Sequence, residues 1–135
     1  MTSDLSAFPP EDPPSREETA FPRRGEIYYV DLDPIIGSER GGHRPTLIIQ
    51  NDVGNQYSPV IIVAALTSSP AARLRPTDVL IHPGGSGLQV PSRVLLNQIR
   101  TIDKRRLGRY VGQLTSEEMA RIDEAIKISL GLIPL

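Results

Sequence analysis

The sequence predicts a mostly-β protein, a small and strongly bent antiparallel sheet or barrel capped at one end by a single C-terminal helix. Three observations predict it. Short apolar or alternating stretches recur between segments rich in Gly, Asn, Asp and Pro. The clearest run of helical period comes last, and 135 residues hold one domain's core rather than two.

Residues 1–22 stand apart from that pattern. Pro9, Pro10, Pro13, Pro14 and Pro22 lie among Ser, Thr, Asp and Glu, with too little apolar surface to offset the entropy of ordering, so a disordered, acidic N-terminal arm is expected there. The folded domain is expected over 23–135. The first strand spans Gly25 to Leu32, whose alternation sets Ile27 and Tyr29 on one face and Tyr28, Val30 and Leu32 on the other. A polar, glycine-bearing loop from Asp33 to His43 leads through Arg44-Pro45 into a second strand, Thr46–Gln50. Asn51-Asp52-Val53-Gly54-Asn55 reads as turn chemistry, because Asn, Asp and Gly tolerate left-handed backbone. Val60–Leu66 is unbroken apolar sequence, which marks a central strand buried on both faces.

Two further strands, Asp78–Ile81 and Arg93–Gln98, flank the loop His82–Gly87, and Arg109–Leu114 is a weaker strand. The helix follows. Thr115 and Glu118 form a capping box, Met119, Ile122, Ile126 and Leu130 recur at helical spacing, and Gly131 and Pro134 end it.

Composition bounds the chemistry. There is no cysteine, which excludes disulfides, Cys-based zinc sites and thiol nucleophiles. No run approaches the roughly 18 apolar residues of a membrane helix, and no basic segment precedes an apolar one, so a cytoplasmic, soluble protein is expected. The net charge of -1 hides an asymmetry. Residues 1–22 carry Asp4, Glu11, Asp12, Glu17 and Glu18 against Arg16 alone, which leaves 23–135 near +3, a mildly basic surface compatible with a polyanion.

The segment Gly37-Ser38-Glu39-Arg40-Gly41-Gly42-His43-Arg44-Pro45 concentrates a base, an acid, a hydroxyl and an imidazole in one loop. Pro45 biases Arg44 toward extended backbone, at the mouth of a strand, where a guanidinium fork can hold a phosphate. Thr67 ends the buried strand, where its hydroxyl either caps the Ser68-Ser69-Pro70 turn or donates to a phosphate oxygen. The basic run Arg100 to Arg106, with Arg109 near, is either a solvated face or a track for a phosphate backbone. No His/Asp/Glu set has metal-ligand spacing, and neither a phosphate-binding loop nor a nucleophile elbow is present. No metal and no cofactor is therefore expected.

Residues 24–133 resemble the MazF/PemK toxins, the nuclease halves of bacterial toxin–antitoxin pairs. The resemblance rests on Arg24-Gly25-Glu26-Ile27-Tyr28, on the Gly37–Pro45 block, on Gln50-Asn51-Asp52, on Leu66-Thr67 and on Asn97-Gln98-Ile99-Arg100-Thr101-Ile102-Asp103. It implies an SH3-like barrel of the CcdB/MazF type that pairs into a homodimer, and a cognate MazE-like antitoxin. It also implies ribosome- and metal-independent cleavage of single-stranded RNA (mRNA) that leaves 2′,3′-cyclic phosphate and 5′-hydroxyl ends. Arg44 and Thr67 take the positions of the family's catalytic pair. Glu39 and His43 are the candidate acid and base, and the sequence leaves the choice open. Ser38, Glu39, Gln50, Asn51, Asn97, Gln98 and Arg100 are the expected RNA-binding residues. Many relatives carry an acidic residue before the Gln matched by Gln98; Asn97 stands there instead and cannot act as a base. The alternatives are a non-catalytic gyrase-poisoning toxin of the CcdB kind, sharing the barrel, and an inactive RNA-binding relative.

Overall fold

The computed structural model describes residues 21–33, 36–71 and 73–135. The elements run β1 (Glu26–Asp31), β2 (His43–Ile48), α1 (Asp52–Tyr57), β3 (Val60–Thr67), β4 (Asp78–Ile81), β5 (Ser92–Asp103), a single 3-10 turn (Lys104–Arg106), β6 (Leu107–Gln113) and α2 (Ser116–Ser129). The strands form one six-stranded antiparallel sheet in the order β4-β5-β3-β2-β1-β6. The expected mostly-β class with one C-terminal helix is what forms.

β1 behaves as its alternation predicts: Tyr28, Val30 and Leu32 are buried on one face, while on the other Ile27 is buried, Tyr29 half-buried and Asp31 exposed. Ile27 joins a core with Leu47, Ala64, Leu66, Val94 and Leu96, onto which α2 packs Ile122 and Ala125. Tyr28, Val30 and Leu32 join a second core with Ile48, Ile61, Val63, Ala65 and Ile102. β3 lies between β5 and β2 and supplies both cores, as an unbroken apolar run should. α2 starts at Thr115, which accepts from Glu118 N while Glu118 Oε1 accepts from Thr115 N, the reciprocal pair read from the sequence.

Backbone approach holds the outer strand to a loop. The β4–β5 loop lies so close to β6 that a Cβ on Gly87 would meet Val111 O at 2.1 Å, and one on Gly112 would meet Ser86 O at 2.1 Å. Only residues without side chains allow this contact. Arg24 ties three elements at one end: its N donates to Asp52 Oδ1, its Nε to Ile49 O and its Nη2 to Asp123 on α2.

Four expectations need correction. Asn51–Asn55 is not a simple turn, for Asp52–Tyr57 is helical. Asn51 caps that helix by accepting from Gly54 N, and Gly54 leaves room for the Gln50 side chain against it. β2 begins at His43, inside the expected loop, and ends at Ile48. β5 continues beyond Gln98 to Asp103. Phe21 and Pro22, assigned to the arm, are buried; the rest of the arm, 1–20, lies outside the described residues. Among the described residues, no helix is long and apolar enough to cross a membrane.

Candidate active site

The β2–β3 register pairs Thr46 with Ala65 and Leu47 with Ala64. Extending it by two residues sets Arg44 across from Thr67, where the two strands end together. Arg44 is half-buried there, and backbone oxygens hold it on two sides. Its Nε donates to Gly41 O at 2.7 Å and its Nη1 to Leu66 O at 3.0 Å. Among the described residues no other hydrogen bond engages the guanidinium, so a fixed fork presents donors to the cleft it shares with Thr67. Partial burial, then the like charge of Arg40, lowers the Arg44 pKa from its ordinary value, and Asp33 works the other way. Arginine starts so far above neutrality that it stays a cation, suited to stabilising negative charge and not to removing protons.

Thr67 is buried, and its Oγ1 accepts from Ser69 N at 3.2 Å. The hydroxyl's acceptor side is thereby engaged, which leaves its proton to be donated. Thr67 pairs across the sheet with Arg93, whose Nη2 donates to Ser69 O at 3.2 Å, so the turn that orients the hydroxyl is itself held from β5.

Two clefts bear on the expected site, one at this strand end and one between the β1–β2 loop and β5. The larger, of about 570 Å³, contains His43, Arg44, Thr67, Ser68 and Ser69, with Tyr29 and Arg109 on one wall. The Tyr29 and His43 rings stack, their centroids 5.3 Å and their planes 14° apart, and Arg109 Cζ lies 4.7 Å from the Tyr29 centroid. The second cleft, of about 450 Å³, has an apolar floor of Leu32, Val63 and Ala65 and a polar rim of Ser38, Glu39, Arg40, Asn97, Gln98 and Arg100. A bulge builds that rim. Ala64 pairs with Ile99 but Ala65 with Leu95, so Leu96, Asn97 and Gln98 are extra residues on β5. Arg40 N donates to Gln98 Oε1, joining the β1–β2 loop to the bulge.

The expected site residues thus divide. His43, Arg44 and Thr67 share one cleft, and Ser38, Glu39, Asn97, Gln98 and Arg100 line the other. Gln50 and Asn51 belong to neither. They sit past the far end of β2, ~20 Å from Arg44 by strand rise. Gln50 Nε2 donates to Asn55 Oδ1 and Val60 O, and Asn51 caps α1. Glu39 spends a carboxylate oxygen on Ile36 N at 2.7 Å. The basic run is largely spent on the fold: Arg100 donates to Leu32 O, Arg106 to Asp31 O and Asp33 O, Lys104 to Gln56 O, and Arg105 pairs with Asp103. Tyr29 is not among the expected site residues, and Arg109 is expected only as a neighbour of the basic run. The sequence signal for Tyr29 was an aromatic ring on an alternating strand that also carries a charged neighbour, Asp31, on that face. Among the described residues, no group of three or more His, Asp or Glu converges to hold a metal ion.

Residues 23–130 match the family model described as PemK-like, MazF-like toxin of type II toxin–antitoxin system. The chain is 50% identical over 111 residues to Endoribonuclease EndoA of Bacillus subtilis (strain 168), spanning 82% of this chain and 96% of that one. Among solved structures, it is similar to an endoribonuclease in complex with its cognate antitoxin from a mycobacterial species, with TM-score 0.70, 31% identity, and 84% and 99% of the two chains covered. MazF from Deinococcus radiodurans also superposes with TM-score 0.70 at 25% identity, covering 82% and 97%.

Proposed function

The chain belongs to the PemK-like, MazF-like toxins of type II toxin–antitoxin systems, and from that premise we propose that it is an endoribonuclease whose reaction is metal-independent transesterification of single-stranded RNA at Arg44 and Thr67. The ribose 2′-oxygen attacks the neighbouring phosphorus in line. A P–O2′ bond forms as the P–O5′ bond breaks, the 2′-proton leaves to a base, and the 5′-oxygen departs protonated. The products are a 2′,3′-cyclic phosphate and a 5′-hydroxyl. The step builds charge on the non-bridging oxygens, and stabilising charge where it develops is commonly the largest catalytic contribution.

One observation carries this reading: a guanidinium fixed by Gly41 O and Leu66 O beside a hydroxyl whose acceptor side is engaged by Ser69 N. Arg44 binds the phosphorane oxygens through its remaining N–H groups, and Thr67 donates to one of them. The bulged rim of Asn97 and Gln98, facing the β1–β2 loop across an apolar floor, suits splayed bases read along their hydrogen-bonding edges. The protein acts as a homodimer on the family resemblance, and its restraint by a cognate MazE-like antitoxin is supported by the mycobacterial relative solved with its cognate antitoxin.

The test is incubation of the purified protein with a long, structure-poor RNA in EDTA, beside Arg44→Ala, with the ends mapped chemically. Discrete cuts with cyclic phosphate and 5′-hydroxyl ends are expected, and Arg44→Ala is expected to slow them by about 100-fold or more. Undiminished cutting by Arg44→Ala would remove the assignment of the site. Inhibition by EDTA would remove the metal-free mechanism.

A further inference from the structure

His43 shares its cleft with Arg44 and Thr67, yet it is not arranged as a proton-transfer group. A catalytic imidazole is ordinarily oriented through a hydrogen bond to its second nitrogen. Neither ring nitrogen of His43 is hydrogen-bonded among the described residues. The ring is exposed, and it is placed by stacking: its plane lies 14° from that of Tyr29, and the same Tyr29 ring carries the Arg109 guanidinium at 4.7 Å. The three side chains come from β2, β1 and β6, which are adjacent in the sheet, so a rigid scaffold holds them.

We propose that this His43–Tyr29–Arg109 stack is the platform for the nucleobase next to the phosphate held at Arg44 and Thr67, with His43 the face offered to the base. The proposal rests on the nuclease reading given above. The partner chemistry follows from what the stack presents. Flat aromatic rings and a guanidinium plane attract bases of any identity, because every base has a π-face. The nearby cation and hydroxyls take the backbone. The cleft, about 570 Å³, lies within the roughly 300–1,000 Å³ range of small-ligand pockets, so a base and its sugar fit. Stacking also explains how the ribose is steadied for in-line attack: a base pinned beside the scissile phosphate fixes the sugar attached to it. His43 is on this account a positioning residue for the chemical step, not its acid or base.

The test separates stacking from proton transfer. A fluorescently labelled single-stranded RNA of mixed sequence is titrated against Arg44→Ala protein, slowed enough in cleavage for binding to be read, with His43→Ala, His43→Gln, His43→Phe or Arg109→Ala added. Single-turnover cleavage is measured for the same four changes in protein that retains Arg44. His43→Ala and His43→Gln are expected to weaken binding and slow cleavage by about fivefold or more, the usual effect of losing one base–aromatic stack. His43→Phe is expected to rescue both relative to His43→Ala, and Arg109→Ala to weaken binding with a smaller change. Cleavage as slow in His43→Phe as in His43→Ala, with RNA binding rescued, would overturn the proposal in favour of proton transfer. Unchanged RNA binding in His43→Ala would overturn it outright. Should any His43 variant melt early, Arg109→Ala still reads the stack from another strand. If the protein with Arg44 leaves RNA uncut, the nuclease reading has failed, and the titration still decides whether the stack binds bases.

Discussion

At the scale of single residues, the site depends on groups that hold other groups. Thr67 shows this directly: Ser69 N occupies its acceptor side, and Arg93 holds the Ser69 carbonyl. A valine at 67 keeps the shape and removes both the donated proton and the acceptor for Ser69 N, whose turn Arg93 still holds. Thr67→Val is therefore expected to slow single-turnover cleavage by about 10-fold or more with little change in RNA affinity; an equal loss in both would assign Thr67 to binding. Behind it, Asp78 is buried between Arg75, at 3.2 Å, and Arg93, at 3.4 Å. Burial disfavours its ionised form, but the Arg75 hydrogen bonds, then the Arg75 charge and last the Arg93 charge together outweigh burial and hold its pKa below the ordinary carboxylate value. A depressed folded-state pKa contributes stability that is present above the unfolded value, about 3.9, and is lost as pH falls through the folded one. The melting temperature is thus expected to draw nothing from this group's titration between pH 7 and about 5, and to lose its contribution below about 4. Asp78→Asn should remove that acid-limb contribution and cost about 3 kcal/mol at neutral pH, because Arg93 is left buried without its counter-charge. An acid limb identical in Asp78→Asn would refute the assignment.

At the scale of elements, what was legible in the sequence and what was not divide by range. β3 was legible because a central strand needs apolar residues on both faces, and α2 because its period and capping box are local. α1 was missed since Asn51 and Gly54 serve a helix start and a turn equally well, and the contacts of Gln50 with Asn55 and Val60 decide between them. The continuation of β5 was missed because pairing with β3 carries Ile99–Asp103, beyond a bulge that no local pattern marks. The site divides in the same way. Arg44 and Thr67 were reached through the family resemblance, and their adjacency is a matter of register. The stack of Tyr29, His43 and Arg109 joins three strands and has no linear signature. The contact between Gly112 and the β4–β5 loop is likewise invisible until the sheet curls. It makes a sharp prediction: in Gly112→Ala the new Cβ would stand 2.1 Å from Ser86 O, so the loop must leave β6. Urea denaturation should show a loss of about 2–3 kcal/mol or more. Gly85→Ala, where nothing lies within 4 Å, should be close to neutral.

At the scale of the whole molecule, charge and burial point to different boundaries for the functional unit. Charge separates residues 1–22 from a domain near +3, and by that measure the domain begins at Arg23. Burial begins earlier. Phe21 is only 8% exposed, Pro22 is buried, and Arg23 lies over the Phe21 ring with its guanidinium carbon 5.0 Å from the centroid. Arg23 N in turn donates to the buried Glu26 carboxylate, which also accepts from Tyr28 Oη, so the chain just before β1 is anchored to the second core. Burying a phenylalanine contributes about 1.5–3 kcal/mol, a sizeable share of the roughly 5–15 kcal/mol that holds a domain of this size. Two truncations separate the measures. Removing residues 1–20 takes away the acidic charge and is expected to leave the melting temperature unchanged. Removing 1–22 takes away only two further uncharged residues and is expected to lower it by about 5 °C or more. Equal melting of the two truncated proteins would return the boundary to Arg23, whereas a fall already present on removing 1–20 would show that the acidic segment carries structural contacts of its own.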